Sequence, residues 1–333
     1  MRVLTLIIVC GIFDSCHMSN NKSLNINKQE ITLAGKIAVT PRGENTCFIF
    51  DNSDSSTAQF KLRNDKQREY SGFAWVNGRD SFVGVEYIKN AQTAINQGNI
   101  VCFDLSGNII SSIYESQNGE IAGGPYLSRK DRRLLFETQI KGDFKVNPFE
   151  GLSRELSIVI MDFNKKEIIK RIEKIGLSPN FEIYESPWLF DEDRFLYSIS
   201  GDAKIITNGV RVNPKSEDDP GVYIYDISSD QKKLLIPDAR FVICSPVDLR
   251  ISYVKGPSIW IMDLKDSTEK ILYKGEPKEY ISNMHWTPDG KFIYMICYWK
   301  AREEFREKLI EVSTNKEVPF KKIGHGFNSY TWK

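Results

Sequence analysis

Met284-His285-Trp286-Thr287-Pro288-Asp289-Gly290-Lys291-Phe292-Ile293-Tyr294 is the stretch on which the fold turns. An apolar segment ends on an aromatic, a polar turn follows, and a second segment rich in aromatic and β-branched residues begins. Proline fixes φ inside that turn and glycine supplies positive φ. Degenerate copies start at Phe73-Ala74-Trp75, Gly124-Pro125-Tyr126, Ser186-Pro187-Trp188 and Val242-Ile243-Cys244. They recur at roughly fifty residues, the period of stacked or radial repeats.

Each degenerate copy is followed by a third apolar run that closes on Asp. These are Ile100-Val101-Cys102-Phe103-Asp104, Ile158-Val159-Ile160-Met161-Asp162, Val222-Tyr223-Ile224-Tyr225-Asp226 and Ile259-Trp260-Ile261-Met262-Asp263. Cys47-Phe48-Ile49-Phe50-Asp51 is one more, and Leu309-Ile310-Glu311-Val312 ends on valine instead. The Asp carboxylate reads as an acceptor for amides of the next turn. Adding a weak outer strand such as Glu317-Val318-Pro319-Phe320 gives four antiparallel strands per unit, a propeller blade. One such sheet cannot bury both faces alone, so neighbours must stack around an axis. Five blades have their own inner strand, at Trp75, Tyr126, Trp188, Cys244 and Trp286. A sixth is split between residues 36–64 and Phe327-Asn328-Ser329-Tyr330-Thr331-Trp332, and joining the two ends removes an open edge. The expectation is an all-β, six-bladed propeller of four-stranded antiparallel blades, closed by pairing the C-terminal strand with the N-terminal blade.

Trp286-Thr287-Pro288-Asp289-Gly290-Lys291 resembles the W-S-P-D-G-K signature of the TolB-type, WD40-like (PD40) propeller repeats. One copy matches strongly and four are eroded, over nearly all of the mature chain. Blade five departs most, with Cys244 at the aromatic position and Val247-Asp248 in the turn. The resemblance implies protein contact within the cell envelope.

The chain has 333 residues, 41% of them hydrophobic, enough for one large core. Its 45 basic and 44 acidic residues nearly cancel, and no nucleic-acid motif is present, so nucleic acid is set aside as a partner. Arg2 precedes the apolar run Val3-Leu4-Thr5-Leu6-Ile7-Ile8-Val9-Cys10-Gly11-Ile12-Phe13, about eleven residues, too short to span a bilayer but suited to a signal peptide. Cys16 after Ser15 resembles the lipidated residue of a bacterial lipoprotein signal; Phe13 and Asp14 depart from that pattern. Residues 1–16 are read as the signal peptide, 17–34 as a tether and 35–333 as a single propeller domain. The protein is then exported and anchored by lipid alone, facing the periplasm or the cell surface. Cys47, Cys102, Cys244 and Cys297 form no C-x-x-C pair and read as buried hydrophobes, with a disulfide left open.

Chemistry-bearing patterns are sparse. Of three histidines, His17 falls in the tether, while His285 lies on the inner strand of the last complete blade and His325 just before the closing inner strand, at a different depth. No H-E-x-x-H or G-x-S-x-G occurs. A Ser–His–Asp triad meets in space rather than in sequence, and nothing points to one. Asp51-Asn52-Ser53-Asp54, Asp191-Glu192-Asp193 and Glu217-Asp218-Asp219-Pro220 read as exposed turns; no metal or cofactor is called for.

Insertions between second and third strands, at 87–98, 141–154, 201–221 and 299–308, all emerge on one face of an antiparallel disc, and such loops are where function concentrates. Reading upstream of each inner aromatic on that face gives Tyr184, Glu185, Arg240 and Asn283 as ligand-fixing groups. Trp299, Lys300 and Arg302 add a stacking surface with positive charge, and Phe144 and Phe149 add apolar area. Pairing of Arg240 with Glu185 inside the funnel is the competing reading. The function expected is a non-catalytic, monomeric binding propeller of the cell envelope, its partner an envelope protein or a glycan. The alternative is a propeller hydrolase or lyase acting on an extracellular saccharide or peptide.

Overall fold

The computed structural model describes residues 36–332 apart from 42–45, 52–55, 63–67, 78, 90–94, 118–119, 141–154, 178–180, 202–204, 208–209, 213–217, 277, 301 and 321–326. Cys16, the signal and tether segments, His17, His325, Phe144 and Phe149, and residues 52–54 of the acidic turn lie outside the described residues.

Every regular element among the described residues is a strand. In chain order they are β1 (Lys36–Pro41), β2 (Thr46–Asp51), β3 (Ser56–Lys61), β4 (Arg68–Trp75), β5 (Ser81–Lys89), β6 (Ile95–Asp104), β7 (Ile109–Tyr114), β8 (Glu120–Leu127) and β9 (Arg133–Ile140). Then come β10 (Glu155–Asp162), β11 (Glu167–Leu177), β12 (Phe181–Glu182), β13 (Arg194–Ile199), β14 (Ile205–Thr207), β15 (Val210–Val212), β16 (Gly221–Asp226) and β17 (Gln231–Pro237). The last are β18 (Ala239–Cys244), β19 (Arg250–Lys255), β20 (Ser258–Asp263), β21 (Thr268–Lys274), β22 (Glu279–Trp286), β23 (Phe292–Trp299), β24 (Glu304–Glu311), β25 (Lys316–Glu317) and β26 (Phe327–Trp332).

Sheet I has the order β26-β1-β2-β3, pairing Ile37 with Trp332 and Val39 with Tyr330. Sheets II (β4 to β7) and III (β8 to β11) are antiparallel internally and joined by a single parallel bridge, Gly98 to Ile121. A Cβ on Gly98 would stand 2.7 Å from the Ala122 carbonyl oxygen, so glycine alone admits this approach. Sheet IV is β12-β13-β16-β17, sheet V runs β18 to β21 and sheet VI β22 to β25.

The core explains why second strands read as unbroken apolar runs. Buried side chains gather into clusters, each lying between two consecutive sheets. Leu134 and Phe136 of β9 face sheet II, while Leu135 between them faces sheet IV. Phe195 and Tyr197 of β13 face sheet III, while Leu196 faces sheet V. A strand covered on both sides needs apolar residues at both parities. Full burial of one such side chain stabilises by about 1.5–3 kcal/mol.

Local chemistry sets the turns. The third-strand aspartates cap the turns after them: Asp104 Oδ1 accepts the amides of Ser106 (2.8 Å) and Asn108 (2.9 Å), and Asp162 Oδ1 those of Asn164 and Lys165. Asp226 and Asp263 do the same for Ser229 and Lys265. Asp226 is held down at about 2, first by the Ser228 hydroxyl and then by the Ser229 amide. In the opening motif the Thr287 amide donates to the Phe292 carbonyl (3.0 Å), and Gly290 takes φ 67°. A Cβ there would sit 2.3 Å from Val247 Cγ2 of sheet V, so this glycine serves both the turn and the sheet contact.

Two expectations change. The insertions at 87–98 and 299–308 are largely sheet rather than loop: Tyr87 pairs with Gly98, and Trp299 with Glu304, prolonging their hairpins. Segment 201–221 contains the β14–β15 hairpin. Glu192, read as an exposed turn residue, is 1% exposed. Its carboxylate accepts the Lys130 amide (2.7 Å) and Arg132 Nε (3.1 Å), clasping the sheet III turn. Cys47, Cys102, Cys244 and Cys297 are buried free thiols.

Candidate functional site

The first strands of sheets II, III, V and VI share an irregularity. Their registers slip between Ser71 and Ala74, Gly123 and Tyr126, Arg240 and Ile243, and Ile281 and Asn283. Gly72 (φ 60°), Gly124 (φ 57°) and Phe241 (φ 53°) occupy the left-handed region at these bulges. At the matching level of sheet IV the ladder thins to one bridge, Trp188 to Phe195, and Ser186 takes φ 92°. Bulges bend a strand and re-aim the residues beyond them.

Beyond the bulges these five segments converge on a cavity of about 400 Å³. Its walls are Phe73 and Trp75 from β4, Tyr126 from β8, Trp188 from sheet IV, Cys244 from β18 and Trp286 from β22. Asn77, Arg129, Phe190, Pro246 and Pro288 of the following turns form the rim. Trp188 Nε1 donates to the Tyr126 carbonyl (2.9 Å) and the Tyr126 hydroxyl to the Ile183 carbonyl (2.8 Å), which pins two walls together. At the rim Asn77 Nδ2 donates to the Arg129 carbonyl (2.7 Å) and to Asp131 Oδ1 (3.2 Å). Burial lifts the Asp131 carboxyl to about 6.

Two polar side chains meet on the cavity wall. Glu185 Oε2 lies 2.9 Å from His285 Nδ1, joining sheet IV to sheet VI. The Glu185 side chain is 36% exposed and the imidazole 7%. Burial raises the Tyr126 phenol well above its usual range, and the charges of Glu137 and Glu185 add to that. Glu137 pairs in register with Gly123, and burial lifts its carboxyl to about 7. A carboxylate fixing an imidazole can orient a bound hydroxyl or amine, or take a proton from it.

The structure distributes the residues expected from the sequence. Glu185 lines the cavity, which lies at the turn ends of the first strands, away from the long second-to-third-strand connections. Tyr184, Arg240 and Asn283 lie toward the other end and do not line it. The Tyr184 ring packs on Phe241 (4.4 Å), and its hydroxyl donates to Glu182 (2.7 Å). Arg240 is exposed with its guanidinium over the Phe241 ring (5.1 Å), while Glu185 meets His285 (2.9 Å). Asn283 Oδ1 accepts the Met284 amide (2.8 Å) at the bulge. Trp299 is flanked by the guanidinium groups of Arg302 (4.4 Å) and Arg306 (4.0 Å), with Lys300 exposed next to it.

Sequence reasoning found Glu185 and His285 separately and missed their pairing. Counted from their aromatics they stand at different depths, three residues before Trp188 and one before Trp286. Irregular backbone at Ser186 and the Ile281–Asn283 slip bring them level. The inner aromatics were legible as repeat markers; their second role as cavity walls was not.

No protein-family model matches the sequence, and no curated protein matches it. Solved structures do. TolB from Acinetobacter baumannii is 16% identical with a TM-score of 0.55, over 90% of this chain and 67% of that one. An apocarotenoid oxygenase mutant from Synechocystis is 10% identical with a TM-score of 0.55, over 90% of this chain and 72% of that one. An acylaminoacyl peptidase from Pyrococcus horikoshii is 13% identical with a TM-score of 0.53, over 84% of this chain but 42% of its own. At these identities the likeness shows the fold, a β-propeller of the TolB type.

Proposed function

We propose that sheets I to VI form one closed six-bladed ring and that the protein is a non-catalytic binding propeller. Pairing of β26 with β1 and the packing of consecutive sheets support the ring. The observation that carries the binding reading is the cavity itself: fixed aromatic walls around a partly exposed Glu185–His285 pair. Ligand sites combine a concave apolar surface with a few placed polar groups. The occupant is a glycan or the end of an envelope protein chain. Anchorage through lipidated Cys16, export and a monomeric state complete the reading. Tyr184, Arg240, Asn283, Trp299, Lys300 and Arg302 at the long-connection end are a second contact surface for the same partner.

Indole fluorescence reports on the site, because Trp75, Trp188 and Trp286 all line it. Titration with a panel of envelope glycans and peptides should give saturable quenching that Ala74→Phe, a substitution filling the cavity, removes without lowering the melting temperature. Quenching unchanged in Ala74→Phe rejects the cavity as the site.

The Glu185–His285 contact also favours a second reading, a hydrolase or lyase with His285 as general base. Turnover of a bound saccharide or peptide that disappears in His285→Gln would replace binding by catalysis.

A further inference from the structure

We infer that the partner met at the long-connection end is an acidic polysaccharide, lying across sheets V and VI on a row of exposed rings set among cations. The inference rests on the reading of that end as a contact surface and is independent of what fills the cavity. The rings are the first support. Tyr280 of β22 pairs with Tyr298 of β23, and Tyr298 with Phe305 of β24. Residues directly opposite in a ladder share a face, so three aromatic side chains stand side by side across adjacent strands. The Tyr298 and Phe305 centroids are 4.9 Å apart. The outer members are open to solvent, Tyr280 at 48% and Phe305 at 46%. Clustered exposed aromatics mark a contact surface. The negative face of each ring attracts the C–H edge of a sugar ring.

The charge distribution is the second support. The chain as a whole is nearly neutral, with 45 basic and 44 acidic residues. At this end of sheets V and VI the exposed cations are Lys255, Lys274, Lys278, Lys300 and Arg302, against the exposed carboxylates Glu276 and Glu303. Glu304 is held by Arg306 and Glu279 by Lys308, while Asp238 and Arg240 at the start of β18 offset each other in charge. None of the five cations has an ion pair among the described residues. Backbone contacts set them together: Lys255 pairs with Ser258 and Ser258 with Lys274, and the Lys300 amide donates to the Lys278 carbonyl (3.2 Å). Stacking on Trp299 at 4.4 Å holds the Arg302 guanidinium in place, with its N–H edge available to a carboxylate. An acidic polypeptide offers the charge without the ring faces, and a neutral glycan the ring faces without the charge. A polysaccharide bearing carboxylates supplies both along one chain.

Alginate is the probe, set against neutral dextran and poly-glutamate. Calorimetric titration of the full chain should show saturable alginate binding that weakens as salt rises, with neither control binding comparably. Tyr280→Ser should weaken alginate by about tenfold, and Lys278→Gln combined with Lys300→Gln by about as much, each at the parent's melting temperature. Should Tyr280→Ser melt early, the exposed lysine pair decides. Ala74→Phe, which fills the cavity, should leave alginate affinity unchanged. No alginate binding, equal affinity for dextran or poly-glutamate, or undiminished affinity in the surface variants overturns the inference. Dextran or poly-glutamate binding that is lost in Tyr280→Ser leaves the contact surface standing and rejects the acidic glycan. Alginate binding lost in Ala74→Phe and kept in the surface variants rejects the surface and leaves the cavity as the site.

Discussion

At Glu137 burial makes one carboxyl's contribution to stability depend on pH. Burial lifts it to about 7, above the 4.5 of an exposed glutamate. The folded state therefore holds this proton more tightly than the unfolded chain. Its contribution is complete below pH 4.5 and is lost as pH rises through about 7. Each unit of that gap corresponds to ~1.4 kcal/mol. Glu137→Gln should unfold at a higher temperature than the parent at pH 8, with the advantage vanishing near pH 4. Thermal melts across that range check it, and a constant difference would rule out Glu137 as the titrating group. Sequence gave no sign of this, since the environment comes from strands β5, β8 and β9 meeting in space. Asp104, Asp162, Asp226 and Asp263 are the opposite case: their turn-capping role follows from the three or four residues after each.

Strand-to-strand crossings hold a second repeated device. Tyr114 ends β7 and Glu120 begins β8; Tyr273 lies near the end of β21 and Glu279 begins β22. In both places the tyrosine hydroxyl donates to the glutamate, at 2.6 Å for Tyr273. A cation from another strand completes each cluster: Arg171 Nη1 at 2.5 Å from Glu120, and Lys308 Nζ at 3.3 Å from Glu279. Burial pushes Glu279 upward, but Tyr273, the Glu276 amide and Lys308 together hold it below its usual range. Glu279→Gln leaves the buried Lys308 ammonium with only the more distant, exposed Glu317 carboxylate (3.9 Å) and the Tyr273 hydroxyl, and should cost about 3 kcal/mol. Adding Lys308→Met should recover part of that loss. Denaturant midpoints of the two variants test this, and equal values would show that the charges are not coupled. The Tyr-x5-Glu spacing is visible in the sequence once the blades are aligned, whereas the cations are not, because they sit at unrelated strand positions.

For the molecule as a whole, the repeat was legible because each blade is built from contacts within about fifty residues. The Lys36–Pro41 with Phe327–Trp332 pairing was also legible, as two partial blades lacking each other's strands. What escaped was the far ends of sheets II and VI, where segments read as loops extend the ladders instead. Removing residues 327–332 should expose the β1 edge, lower the melting temperature by several degrees and promote self-association. A synthetic 327–332 peptide added in trans should reverse both effects. Light scattering and calorimetry follow them, and a shortened chain that stays monomeric with unchanged melting would make the pairing dispensable.

The same pairing has a temporal consequence. A ribosome releases β1 long before its partner exists, and translation at about 5–20 residues per second leaves it waiting on the order of 15 to 60 s. Sheets II to VI can assemble from neighbours as they emerge, but sheet I cannot be completed until β26 arrives. During that interval the nascent chain offers an unsatisfied ladder to any extended segment nearby, including that of a sister chain on the same messenger.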